Sequence, residues 1–276
     1  MRLQSGLLIG IFGLVVVLLG GWYFTIAIAL LTYIALLEFF RMAEFTGIKP
    51  ATKTTLFSSF VMIISTYLET IGFLDREIYN SILPICSVGI CTWLLLQPKS
   101  GTISDIAASI FGLFYLGFLP SYWIKLRALQ SIVGKSSEGL VLESLSNTSG
   151  LNLTLISCLL IVASDIGSYF VGKSFGKNAL SPISPSKTIE GLIGGISCSI
   201  IVATFFAFLL EWENPFIIGI LYGVLVSLMA LVGDLIESMM KRDAKLKDSG
   251  TFLPGHGGIL DRICLLYTSD AADEFM

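Results

Sequence analysis

Long apolar runs, each about as long as a bilayer core is thick, recur along this chain and restrict its fold more than any other feature. A helix needs about 20 apolar residues to cross the hydrocarbon core. Runs of that length lie at roughly 5–20, 22–40, 56–74, 81–97, 103–120, 151–172, 191–210 and 215–236. Only 13% of the 276 residues are charged and mean hydropathy is +0.85, too oily for a water-facing surface. The expected fold is therefore all-α: a polytopic integral membrane protein of about eight transmembrane helices. Gly20-Gly21, Pro98 with Gly101, and Asn214-Pro215 punctuate successive runs. The first run is followed almost at once by a second, without a clear small-residue cleavage site, so it reads as a retained anchor. No internal repeat is visible, which gives an inverted-repeat transporter no direct support. Cys86, Cys91, Cys158 and Cys198 sit in apolar stretches without CxxC spacing and read as small buried or lipid-facing residues.

Cations orient the spans. With the amino terminus in the cytoplasm and eight crossings, every lysine and arginine except Arg76, Lys125, Arg127 and Lys135 falls on the cytoplasmic side. The stretch from Ser121 to Arg127 has the pattern of an interfacial amphipathic helix, and Ser136 to Gly150 reads as a loop. Three regions follow: membrane helices over 1–120, a membrane region with cytoplasmic loops over 121–263, and an atypical tail over 264–276.

Polar residues that could carry chemistry gather in the second half. Asp165 lies inside an apolar run, where an ionised carboxylate on a lone helix costs roughly 2.5–3.5 kcal/mol. Such a group faces a bundle interior or a wet cavity, or is neutralised by a neighbouring helix. The next loop carries Lys173, Lys177, Ser184, Lys187 and Thr188 among glycines and prolines. Ammonium groups, hydroxyls and exposed backbone N–H groups suit phosphate oxygens, and Thr188 opens a helix whose positive end favours an anion. The plain alternative is a basic loop obeying the positive-inside rule. No Walker A motif is present, which excludes a P-loop nucleoside triphosphatase.

Residues 233–262 concentrate the strongest signal. Asp234 and Glu237 are three apart on a helix and share a face, with Ser238 four beyond Asp234. Magnesium takes hard oxygen ligands, so Asp234, Asp248 and Asp261 are candidate ligands. Lys241, Arg242, Lys247 and Arg262 could neutralise phosphates, while Gly257 and Gly258 allow a close backbone approach. His256 reads as a hydrogen-bond donor to phosphate, a general base, or a structural tie. A solvated tail that binds anionic lipid headgroups is the simpler alternative for the whole region.

In this order, Ser238, Lys241-Arg242, Lys247-Asp248, Gly250, Leu253-Pro254, His256-Gly257-Gly258-Ile259 and Asp261-Arg262 resemble the signature of the phosphatidate cytidylyltransferase (CDP-diacylglycerol synthase) family. Asp165 through Lys177 and Ser184 through Gly191 are similar to upstream family blocks. The resemblance implies transfer of CMP from CTP to phosphatidic acid, giving CDP-diacylglycerol and pyrophosphate. It implies Asp234 and Asp261 as ligands of Mg2+, with room for a second cation, and Asp248 and Asp165 completing a catalytic polar site. Lys173, Lys177, Ser184, Lys187, Thr188, Ser238, Lys241, Arg242, Lys247, His256, Gly257, Gly258 and Arg262 become the substrate-binding set. The implied partners are CTP, phosphatidic acid and bilayer lipid, with a homodimer allowed and no nucleic acid. The implied location is a bacterial plasma membrane, with the site facing the cytoplasm. A related transferase acting on another lipid phosphate and a secondary transporter are the rival readings. One departure stands out: the family has aspartate where this chain has Cys264. Only 14 residues follow Arg262, too few and too polar for a last membrane helix, so a truncated or fused tail is expected from Cys264 onward.

Overall fold

A computed structural model describes residues 2–97, 101–129, 149–181, 184, 187–246 and 260, with side chains from residue 10 onward. Among these the secondary structure is helical apart from one isolated antiparallel bridge, Ala179 with Thr188. The described helices are α1 (Arg2–Leu19), α2 (Gly21–Phe45), α3 (Thr52–Thr70), α4 (Arg76–Leu95), α5 (Ile103–Arg127), α6 (Gly150–Phe175), α7 (Ile189–Leu209) and α8 (Pro215–Asp243). Six of them (α2, α4, α5, α6, α7 and α8) are long and apolar enough to span a bilayer. The chain is thus an all-α, multi-pass membrane protein, with six such helices among the described residues against the eight expected. They divide into two compact units, the first holding α1–α5 and Leu260, the second α6–α8.

Of the two expected spans outside these six, α1 counts only as the shorter apolar helix Gly10–Leu19, and α3 departs for a physical reason. Its face is lined with hydroxyls: Thr55, Ser58, Ser59, Ser65, Thr66 and Thr70 are all buried. Several return their protons to the helix's own carbonyls, as in Thr55 to Ala51 at 3.0 Å, Ser59 to Thr55 at 2.8 Å and Thr66 to Met62 at 2.8 Å. Such a helix lies comfortably inside protein but has too little oil to meet lipid alone. Met62 shares a core with Ala51, Ile90, Leu94 and Leu113. The helix therefore forms where the hydropathy predicts one, shifted a few residues toward the amino end.

Helix α5 runs on to Arg127, so Ser121–Arg127 continues a membrane-length helix instead of lying apart at the interface. Its middle, Gly112–Phe118, is wound as a π-helix just ahead of Pro120. A proline lacks its N–H and crowds the carbonyl one turn earlier; a wider turn at that point relieves the clash. Gly117 sits where a Cβ would come within 2.8 Å of Ser59, which lets α3 and α5 approach closely. The charges at the end of α5 are all satisfied. Lys125 pairs with Glu69 at 2.6 Å and lies 3.7 Å over the Tyr79 ring, and Arg127 donates to the Val17 carbonyl at 2.9 Å. At the other end of α5, Thr102 and Asp105 form a reciprocal cap. Asp105 also accepts the Lys49 N–H at 2.7 Å, and Ser109 accepts that of Ala51 at 2.9 Å, which ties down the turn before α3.

In the second unit, small residues let α7 lie against α6 and α8 almost backbone to backbone. A Cβ on Gly195 would fall 2.7 Å from the Ser164 carbonyl, and one on Gly223 would fall 2.7 Å from Ile200 Cα. Without a hydrophobic driving force inside lipid, such close packing and inter-helix hydrogen bonds hold helices together. Ser157 meets Tyr222 at 2.6 Å, Ser164 meets Ser227 at 2.7 Å, and Ser199 donates to the Gly223 carbonyl at 3.0 Å. The rising pairs 157–222 and 164–227 show that α6 and α8 run in the same direction.

Candidate active site

The last turns of α8 bury two acids where the apolar helix gives way to Lys241 and Arg242. Asp234 and Glu237 are each 1% exposed, one helical turn apart on one face. Buried carboxylates at a membrane helix end demand partners. Glu237 pairs with Lys241 on its own helix at 3.0 Å, and Asp234 pairs with Lys187 from the loop between α6 and α7. The sequence singles out Asp234 but gives Glu237 no role in the site. The signal was present in the i,i+3 spacing of the acids and in a lysine four residues beyond the second.

That loop is built to present Lys187. The Leu180 N–H donates to the Lys187 carbonyl at 2.7 Å and the Ile189 N–H to the Asn178 carbonyl at 3.0 Å, making a short hairpin-like turn. Glu190, in the first turn of α7, accepts from the N–H groups of Lys177 and Asn178 at 3.2 and 3.3 Å and from the Asn178 amide at 2.8 Å. Thr188 caps α7, its hydroxyl oxygen accepting the Gly191 N–H at 3.1 Å. That bond uses one of the two lone pairs of the oxygen and leaves its proton to donate. Ser184 is buried, and its carbonyl accepts the Lys187 N–H at 3.2 Å.

The other expected residues divide plainly. Lys173 is exposed and donates to the Tyr169 hydroxyl at 3.1 Å; Lys177 and Arg242 are exposed and Ser238 is half-buried. Asp165 is half-buried on α6. Ser164 is level with Ser227, and Asp234 lies two turns past Ser227. Asp165 is therefore deeper in the bundle than Asp234 by about 9 Å along the helix axis. Lys187 and Asp234 are brought together; Asp165 is not level with them. Lys247, Asp248, His256, Gly257, Gly258, Asp261 and Arg262, with the 264–276 tail, lie outside the described residues. Among the described residues no group of three or more His, Cys, Asp or Glu is arranged to hold a metal. The donors present are hard oxygens, as a divalent cation such as magnesium requires, but Asp234 and Glu237 by themselves make an incomplete set.

Fold and site together define a multi-pass membrane protein with a buried acid–lysine cluster where its last described helix turns polar. Comparison with known proteins gives that class a family. The Cytidylyltransferase family model matches residues 1–271. Phosphatidate cytidylyltransferase of Synechocystis sp. is 43% identical over 254 residues, covering 89% of this chain and 85% of the relative. The Bacillus subtilis protein of the same name is 33% identical over 265 residues, covering 95% and 91%. Phosphatidate cytidylyltransferase 4, chloroplastic, of Arabidopsis thaliana is 36% identical over 269 residues, covering 95% and 69%. The chain belongs to the cytidylyltransferase family and is a membrane-embedded nucleotidyltransferase. Chemistry of this class generally calls for a divalent cation.

Proposed function

We propose that the protein transfers CMP from CTP to phosphatidic acid, forming CDP-diacylglycerol and releasing pyrophosphate. The observation that carries this reading is identity of 33–43% over most of the chain to proteins named for that reaction. A phosphate oxygen of the lipid attacks the α-phosphorus of CTP, and the bond between the α-phosphorus and the bridging oxygen breaks as pyrophosphate leaves. No carbon bond is made, so the protein's task is to position two anions and hold their charge.

Lys187 and Lys241 each balance a buried acid when no substrate is bound. Lysine carries its charge on a flexible stem with three donors. Either ammonium can turn to a phosphate oxygen once a cation takes its place beside the carboxylate. Asp234 and Asp261 would hold Mg2+, with Asp248 and Asp165 supporting the site; the ion would spread the charge of the triphosphate and of departing pyrophosphate. Lys173, Lys177 and Arg242 supply exposed cations around the mouth, joined by Ser184, Thr188, Ser238, Lys247, His256, Gly257, Gly258 and Arg262 in binding nucleotide and headgroup. The excess of cations on one side of the spans supports a site facing the cytoplasm, where CTP is made. Acyl chains remain in lipid while the headgroup reaches the helix ends.

The test is an acceptor panel. Purified protein in detergent with CTP labelled at the α-phosphate should move label to phosphatidic acid and leave polyprenyl phosphate unlabelled. Asp234→Asn should lower turnover at least about 100-fold, in line with loss of a principal charge-stabilising group. Transfer to polyprenyl phosphate alone would replace the proposed acceptor, and uptake into liposomes without CTP consumption would point to a transporter.

A further inference from the structure

The loop that carries Lys187 is shut by a single side chain. Its two main-chain bonds, Leu180 N–H to the Lys187 carbonyl and Ile189 N–H to the Asn178 carbonyl, flank the bridge of Ala179 with Thr188. That is one widely spaced antiparallel pair. A two-stranded pairing of this kind is marginal in water without further support. Glu190, in the first turn of α7, supplies the support. Its Oε2 accepts the N–H groups of Lys177 and Asn178 at 3.2 and 3.3 Å, and its Oε1 accepts the Asn178 amide at 2.8 Å. Both carboxylate oxygens thus hold the strand that pairs with Lys187, and bonds to an ionised acceptor are stronger than neutral ones. Register matters at the other strand. The Lys187 carbonyl accepts from Leu180, its N–H donates to the Ser184 carbonyl at 3.2 Å, and its ammonium meets Asp234 on α8. A slip of one residue would turn that lysine to the opposite face.

We propose that Glu190 is a positioning residue for the reaction: by clasping residues 177 and 178 to the start of α7 it sets the register of the loop and delivers the Lys187 ammonium to Asp234. It acts through Lys187 and needs no contact with substrate. This rests on the reading of Lys187 as a group that meets substrate phosphate, and the test separates the two claims. Glu190→Ala removes the clasp, Glu190→Gln keeps an accepting oxygen without the charge, and Asn178→Ala removes only the side-chain donor.

Thermal unfolding of the full-length protein in detergent, without substrate, reads the delivery of the lysine. Lys187→Met should lower Tm by less than about half as much in Glu190→Ala as in the parent, since the lysine no longer reaches Asp234 there. In turnover assays with α-labelled CTP, Glu190→Ala should lower kcat/KM at least about tenfold in the parent and no more than about twofold when added to Lys187→Met. Glu190→Gln should recover most of both losses. Where Glu190→Ala does not fold, Asn178→Ala is expected to give the same changes in weaker form. An equal Tm loss from Lys187→Met with and without the clasp overturns the proposal, as does an equal fall in turnover in both backgrounds. Failure of Glu190→Gln to rescue also overturns it, because the carboxylate would then serve only as a charge at the helix end. Lys187→Met at the parent rate is the separate outcome: it removes the phosphate reading of Lys187 and any role of Glu190 in turnover, whereas the Tm comparison still judges the clasp.

Discussion

Removing the ammonium of Lys187 should weaken the fold as well as the chemistry, and the two effects can be pulled apart. The side chain of Asp234 is 2% exposed and that of its partner Lys187 is 22% exposed. Stripping one partner from a buried ion pair typically costs about 3–5 kcal/mol, because the remaining charge stays uncompensated. Partial exposure of the lysine reduces this, and about 2 kcal/mol is the expectation for Lys187→Met. For a chain of this size that is a fall in Tm of about 4–8 °C. Asp234→Asn should be milder, about 1 kcal/mol, since the lysine left behind can turn toward water and a neutral amide is easier to bury. The double variant removes both charges, so it should be more stable than Lys187→Met alone, with a coupling of about 1–2 kcal/mol. Yet it should remain inactive, because neither charge is there to meet substrate. Thermal unfolding in detergent, followed by size-exclusion of the surviving fraction, gives the four corners of the cycle. Additive losses, or a Lys187→Met protein as stable as the parent, would refute the pairing on which the site description rests.

Other variants test the frame around the site. Gly195→Ala drives a Cβ into Ser168 Oγ and places it 2.7 Å from the Ser164 carbonyl, so α6 and α7 must part, at about 1–3 kcal/mol, read as a lower Tm. Thr188→Ala removes the cap on α7 and should cost about 1 kcal/mol, while Thr188→Ser keeps the accepting oxygen and should cost less. Lys125→Met leaves Glu69 without its ammonium and should lower Tm while sparing the affinity for CTP, measured as KM.

How much of this was written in the sequence depends on how far apart the interacting residues are. Helices α6 and α7 begin and end within a few residues of their apolar windows, because lipid length and hydropathy are local properties. The far end of α5 was not legible. Lys125 and Arg127 look like interface residues until Glu69 and the Val17 carbonyl are seen to receive them. The spacing of Asp234 and Glu237 announced a shared face, but nothing local named Lys187 as the cation for Asp234, since the hairpin-like loop that delivers it depends on Glu190 clasping residues 177 and 178. Glu38, buried in α2, carried no signal at all. A lone acid in an apolar run has many readings, and the Leu260 amide that donates to it is 222 residues away.

Following the α-phosphate of CTP tests the central claim most directly. With the purified protein, phosphatidic acid and magnesium, the α-label should pass into the lipid phase in a one-to-one ratio with pyrophosphate released, and Asp234→Asn should lower both at least about 100-fold. Label that stays on a water-soluble nucleotide while pyrophosphate appears, or transfer at the parent rate in Asp234→Asn, would contradict the account.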